Sequence, residues 1–397
     1  MKLDLDPEYE AFRAEVSETL AKHAALAPGP ADKGFKNAKR IAWQKLLIRH
    51  GLAARTIPKE YGGYGAEPDI LKARIIAEEF ARTRIPGPMA GQGISMLVPT
   101  LLELGTEEQK QAYIRPTIEG EMIWCQGYSE PGAGSDLAAL RTSAVEDGDH
   151  YIINGSKIWT STAKQADMIF CLVRTDPAAK KHEGITYITF PMSTPGIDVR
   201  PLVDMTGTAN FNEVFFTNVR VPKSGVIFEA GKGWQVANAT LTHERGMLGD
   251  PNATRARLLE LVALMKDEAA GGRRLIDNPM LRDRLMKLQS EVYAMQANGL
   301  RITTSRLKGE GAGLAGLIVK LNGCDLNHEI ARLAIDALGE LGILYEGGEH
   351  LRSEGSWQWR YMYDLGLIIG GGTAQIQKNI IAERGLGMPR EPKLAKA

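Results

Sequence analysis

Residues 128–136 read Y-S-E-P-G-A-G-S-D, and the organisation of the chain turns on them. They follow a short apolar run, residues 122–125, that predicts a strand. Pro131, Gly132 and Gly134 then impose an irregular turn, because proline fixes φ and glycine alone takes positive φ without penalty. A turn so rich in small residues brings backbone N–H groups and the hydroxyls of Ser129 and Ser135 close to whatever binds there. Such a concavity suits anionic or polar ring ligands. The same composition also describes an ordinary surface turn. A second stretch separates the two readings. Residues 157–161 read K-I-W-T-S, at the end of another strand-like run (151–153) behind a turn at 147–149. Trp159 with the hydroxyl of Ser161 two residues on offers a planar heterocycle a face to stack on and an edge to bond.

Composition bounds the function. A chain of 397 residues with 44% hydrophobic and 24% charged residues predicts a globular protein of two or three domains. The formal net charge is zero, so no basic surplus argues for nucleic acid or an anionic membrane. No apolar run approaches a membrane span. The N-terminus, M-K-L-D-L-D-P-E, lacks an apolar signal core, so a cytoplasmic location is expected. Cys125, Cys171 and Cys324 are far apart and read as buried free thiols, and the histidines show no metal-binding spacing.

Along the chain the periodicity changes twice. Phe12, Val16 and Leu20 share a helix face, as do Trp43, Leu46 and Leu47 before the stop at Gly51. Asp69 is placed to cap a helix reaching about Arg84, and Thr106 with Gln109 forms a capping box. From about residue 122 to 230, short β-branched runs alternate with turns, with strands expected at 169–173, 184–190, 197–200 and 212–221. Helices return at 234–245, 252–268, 279–308, 315–341 and 373–384. Residues 311–316, G-A-G-L-A-G, formally match a dinucleotide fingerprint, but no strand precedes them, so they read as a loop before a helix.

The paired stretches 128–136 and 157–161 resemble the flavin-binding middle domain of acyl-CoA dehydrogenases, and the resemblance runs along nearly the whole chain. It implies an α+β fold: an N-terminal helical domain (1–121), a middle antiparallel β-barrel-like domain (122–232), a C-terminal four-helix bundle (233–388) and a disordered tail (389–397). It implies FAD as cofactor, an acyl-CoA substrate and an electron-transferring flavoprotein as electron acceptor. Such an enzyme needs a carboxylate base for the α-proton and donors on the thioester carbonyl, since an unassisted α-proton is too weakly acidic. By resemblance, Gln126, Tyr128 and Ser129 lie against the isoalloxazine. Trp159 stacks on it, Ser161 bonds near N5, and Ser135 reaches toward cofactor and pantetheine. Thr373 and Gln375 match contacts to the adenosine part, and Trp234 matches an aromatic near CoA.

The base departs from the commonest pattern. Where most of the family has Y-E-G-T, this chain has G-G-G-T at 370–373, so Gly371 replaces the glutamate. Its N–H can still bond the thioester carbonyl. A minority of the family carries the base on the helix entering the bundle, here L-T-H-E-R at 241–245, which puts Glu244 at the base position and Arg245 at a residue that shapes the site. A solvated helix glutamate is the competing reading. Two cross-subunit flavin motifs are also altered: residues 273–281 lack F-G, and 336–342 read D-A-L-G-E-L-G, placing Asp336 where it would repel a pyrophosphate. These departures resemble a subgroup containing pimeloyl-CoA dehydrogenase large subunits and bacterial steroid side-chain dehydrogenases. They imply a homo-oligomer (dimer or tetramer) or a heterotetramer with a related chain. Small residues at 89–95 leave room for a long or bulky acyl group. A non-catalytic partner subunit and a flavin oxidase or monooxygenase are the alternatives.

Overall fold

A computed structural model of the chain describes residues 6–247, 249–270, 272–310 and 313–390, the side chains of 244–247, 269, 270 and 314 excepted. Most of the tail expected to be disordered therefore lies outside the described residues. The chain divides into two compact units, Met1–Asp204 with Ala209–His243, and Met205–Thr208 with Glu244–Ala397.

The first unit opens with helices α1 (Pro7–His23), α2 (Ala38–Arg49), α3 (Ile70–Thr83), α4 (Val98–Leu104) and α5 (Glu107–Ile118). Their ends follow the predicted signals. Asp69 accepts from the N–H groups of Leu71 and Lys72, Arg84 ends α3 in the left-handed conformation, and the Thr106–Gln109 capping box is complete. Asn37 caps α2, with its side chain accepting from Lys39 and Arg40. Arg13 on α1 reaches Glu78 at 2.8 Å and Glu79 at 3.1 Å, tying α1 to α3.

Seven strands follow: β1 (Trp124–Gly127), β2 (Ser143–Asp147), β3 (His150–Lys157), β4 (Met168–Arg174), β5 (Ile185–Pro191), β6 (Ile197–Leu202) and β7 (Phe211–Pro222). They form one sheet in the order β1-β4-β2-β3-β7-β6, with β5 on the other side of β4. The pairings are mostly antiparallel, as expected, but β1 and β2 both run parallel to β4. Long connections return the chain to the same end and permit this. Strand β4 explains the apolar run M-I-F-C-L-V. Met168, Phe170 and Leu172 face the core shared with the N-terminal helices, while Ile169, Cys171 and Val173 face the core inside the sheet. A strand buried on both faces has no polar alternation. All three cysteines are buried free thiols.

Helix α6 (Gly233–Met247) leaves the sheet. The second unit packs α7 (Pro251–Asp267), α8 (Pro279–Leu307), α9 (Gly313–Leu338) and α10 (Ser356–Ile369) around one core, followed by α11 (Ala374–Ile380). Leu258, Leu261 and Met265 on α7 meet Leu285, Val292 and Met295 on α8, and Leu326, Ile330 and Leu333 on α9. The intervals of three, four and seven residues are those of one helix face. The G-A-G-L-A-G stretch enters α9 at Gly313 rather than lying wholly before it, and Gly311 and Ala312 are outside the described residues. The sequence reading missed α10. Its S-W-Q-W-R-Y-M-Y start is rich in aromatic residues of modest helix propensity, and tertiary burial of Trp357 holds it.

Candidate functional site

In the first unit the two glycine-turn and tryptophan-turn stretches lie side by side. After β1, Tyr128 turns its ring inward, edge-on to Phe170 at 5.9 Å and Tyr187 at 6.2 Å. Its neighbour Ser129 therefore stays half-buried, and the Ser129 carbonyl accepts from the Ile158 N–H at 2.8 Å. The turn is closed by reciprocal backbone bonds between Glu130 and Ala133, both 3.0 Å. Lys157, fully buried, donates to the Tyr128 carbonyl at 3.1 Å and to the Glu130 carboxylate at 2.8 Å. Glu130 also accepts from the N–H groups of Arg141 (2.6 Å) and Thr142 (2.9 Å). Burial pushes the Glu130 carboxyl up, but the Lys157 charge and these donors together hold it below its ordinary value.

Beyond Lys157 the chain is strained. Trp159 and Thr162 both have φ +60°, a conformation costly for a bulky or β-branched side chain. Between them, Thr160 exchanges two 3.0 Å backbone bonds with Asn212, whose amide also donates to the Thr160 carbonyl. The clamp presents Trp159 outward: its side chain is 59% exposed and meets Phe211 only edge-on. Ser161 follows, half-buried. The structure thus brings Tyr128, Ser129, Trp159 and Ser161 together through bonded backbone. Gln126 is joined to the helical region instead, accepting from Gln92 at 3.3 Å. Ser135 is exposed, on a loop tied by Asp136 to Lys181 at 2.6 Å. Trp234 packs on His182, ring centres 4.6 Å apart.

In the second unit the G-G-G-T stretch forms a turn before α11. Gly371 and Gly372 have φ +64° and +99°, and Thr373 caps α11 through the Ile376 N–H. Buried Lys320 on α9 donates to the carbonyls of Ile368 (3.0 Å) and Gly372 (2.6 Å). Buried Gln377 donates to the Gly371 carbonyl at 3.1 Å, while Gln375 is exposed. Asp336 is paired with Arg284 at 2.7 Å, so the charge expected to repel a pyrophosphate is matched within the chain. The side chains of Glu244 and Arg245 lie outside the described residues.

Glu130, Lys157, Asn212, Lys320 and Gln377 were not singled out from sequence. Glu130 and Lys157 did carry a sign: the first quoted stretch holds two acidic residues, Glu130 and Asp136, and the second holds a single lysine. The other three are single polar residues inside apolar or mixed runs, and only tertiary pairing reveals them.

Among the described residues no helix is long and apolar enough to cross a membrane, and no cluster of three or more ligating side chains could hold a metal. Comparison with known proteins matches three family descriptions in chain order: the acyl-CoA dehydrogenase N-terminal domain over residues 6–121, middle domain over 125–219 and C-terminal domain over 231–386. The chain is 38% identical to Acyl-CoA dehydrogenase IpdE1 of Mycobacterium tuberculosis, over 97% of this chain and 99% of that protein. Among solved structures it resembles the Tcur3481-Tcur3483 steroid ACAD at 30% identity and TM-score 0.81, covering 98% of this chain and 100% of that one. The ChsE4-ChsE5 complex from Mycobacterium tuberculosis matches at 31% identity and TM-score 0.81, again over 98% and 100%. The chain belongs to the acyl-CoA dehydrogenase family and is an oxidoreductase of that kind.

Proposed function

We propose that this protein is an FAD-dependent dehydrogenase that converts an acyl-CoA thioester to its 2-enoyl-CoA, with Glu244 as the α-proton base. The observation that carries the reading is Trp159. A large aromatic ring stands exposed on a left-handed backbone that two bonded loops hold in place, and it meets the Phe211 ring edge-on. Strain retained around an exposed plate, with the hydroxyls of Ser129 and Ser161 in the bonded loops, fits a planar ring with a polar edge. FAD, when bound, supplies the acceptor for the hydride leaving Cβ.

The chain's own groups do the rest. Glu244 takes the Cα proton, and Arg245 shapes the site around it. The Gly371 N–H donates to the thioester carbonyl and lowers the acidity barrier. Gln126, Tyr128 and Ser129 hold the flavin edge, Thr373 and Gln375 its adenosine end, Ser135 the pantetheine side and Trp234 the CoA. Glycine at 371 favours Glu244 for the base, since that position carries no carboxylate. The acyl group is long or bulky, in keeping with a relative described as a steroid ACAD. Electrons pass to an electron-transferring flavoprotein. The assembly is a homo-oligomer or a heterotetramer with a related chain, as the two-chain complex among the relatives supports.

The test is an anaerobic titration of the purified protein with a panel of acyl-CoAs, following the visible flavin band. Bleaching by one class, abolished in Glu244→Gln, supports the reading. Bleaching that survives Glu244→Gln removes Glu244 as the base, and bound flavin that no thioester bleaches removes the dehydrogenase assignment. A chain purified without flavin needs its partner chain present before titration.

A further inference from the structure

Between the end of α10 and Thr373 the G-G-G-T turn has no side chain with which to hold its own shape. Glycine loses more conformational freedom on ordering than any other residue, and Gly371 and Gly372 are both left-handed. Their carbonyls are nevertheless captured, Gly371 by Gln377 at 3.1 Å and Gly372 by Lys320 at 2.6 Å. Their N–H groups are left open: neither donates to a described residue.

Lys320 comes from the interior of α9 and is 3% exposed. Its Nζ also donates to the Ile368 carbonyl at 3.0 Å. That bond alone would be an ordinary helix end, a lysine satisfying one of the last carbonyls of α10. The bond to Gly372 is not needed for capping. It puts the same nitrogen on both sides of Gly370 and Gly371, so one side chain brackets the segment that carries the open N–H. The near end of the bracket is itself fixed. Buried Asp364 pairs α10 with Arg257 of α7, and the Gly370 N–H closes the helix on the Gly366 carbonyl at 2.8 Å.

An N–H that stabilises charge developing on a thioester oxygen works only if it is in place before the charge appears. Misplacement by about 1 Å can cost roughly a hundredfold in rate. A run of three glycines supplies no such placement locally. We propose that Lys320 supplies it: it is a positioning residue that aims the Gly371 N–H at the thioester carbonyl without touching the substrate. This rests on the dehydrogenase reading.

The test compares the wild type with Lys320→Met, which removes the donors at nearly unchanged length, and Lys320→Gln, which keeps a donor on a shorter arm. The probes are the acyl-CoA that bleaches the wild-type flavin fastest and its 2-enoyl product carrying an isotope label in the thioester carbonyl. Flavin reduction at saturating thioester is expected to slow about 10- to 100-fold in Lys320→Met, with KM changing far less. The infrared stretch of the bound labelled carbonyl should move to higher frequency, because a weaker hydrogen bond polarises it less. Lys320→Gln should move both readings the same way by less, and it decides alone if Lys320→Met does not fold. A variant less stable in urea that keeps the wild-type kcat and carbonyl frequency overturns the proposal, since Lys320 then only caps α10. A loss confined to KM overturns it too. A wild type whose bound flavin no thioester bleaches removes the dehydrogenase reading itself, and this inference with it.

Discussion

The Lys157 ammonium and the Glu130 carboxylate meet at 2.8 Å with their side chains 0% and 8% exposed, one from each of the two loops that hold Trp159 and Ser129. Neither residue faces outward, yet both loops depend on the pair. Glu130 gathers the N–H groups of Arg141 and Thr142, and Lys157 gathers the Tyr128 carbonyl. A buried pair adds little net stability over apolar replacements, but breaking it leaves a desolvated charge. Its contribution is to fix one loop against the other.

Removing one partner is therefore expected to cost more than removing both. Lys157→Met should lower unfolding stability by about 3–5 kcal/mol. Lys157→Met/Glu130→Gln should recover a substantial part, since the amide still accepts from one backbone N–H. Urea unfolding midpoints read both. Equal losses in the single and double variants would show that the pair's charge is not what matters.

Acid sensitivity should follow two buried carboxylates with opposite signs. The folded Glu130 carboxyl lies below its ordinary value, so its stabilisation is present above that value and disappears as pH falls through the folded one. Burial raises the Asp364 carboxyl despite its pairing with Arg257. Between its ordinary and raised values the folded state binds the extra proton, so stability there falls as pH rises. Unfolding midpoints measured from about pH 3 to pH 7 should show a shallower acid limb for Lys157→Met/Glu130→Gln and a flattened higher-pH slope for Asp364→Asn.

Much of this arrangement was legible in the sequence where one residue type has one physical use. Asp69, Thr106 with Gln109, and Gly51 marked helix ends, and the run at 169–173 marked a strand, though not that both its faces are buried. Trp159 and Ser161 stood out because an aromatic face and a hydroxyl two residues apart match a family motif. Lys157 with Glu130, Lys320 with its two carbonyls, and Gln377 with Gly371 were not. Each pairs residues that only the fold brings together, and burial of a lysine runs against every local expectation. Strand β2 went unread because only Ala144 of its five residues is buried, which leaves no apolar alternation.

Trp159 offers a separation of folding from cofactor binding. Its ring is largely exposed and its backbone is left-handed. Trp159→Gly relieves the strain at a position where glycine suits the geometry, so stability should stay within about 1 kcal/mol. Flavin content after purification should fall sharply, because the plate is gone. A variant that unfolds with the loss of Trp159 would make the ring a structural element instead.

The G-G-G-T turn should tolerate changes according to space and backbone sign. A Cβ on Gly372 would stand 2.7 Å from Gln377 Nε2, at φ +99°. Gln377 would have to leave the Gly371 carbonyl, so Gly372→Ala combines backbone strain of about 1–3 kcal/mol with about 1 kcal/mol from the lost bond. Gln377→Ala should cost near the second figure, plus the loss of its packing. A Cβ added at Gly366 on α10 would meet nothing within 4 Å among the described residues, and Gly366→Ala should raise stability by about 0.5–1 kcal/mol through helix propensity. If Gly371 presents its N–H to the thioester, Gly372→Ala should also reduce kcat more than it raises KM, because the bond strengthens as charge develops on the carbonyl. A change confined to KM would leave Gly371 as a binding contact that does not act in the transition state.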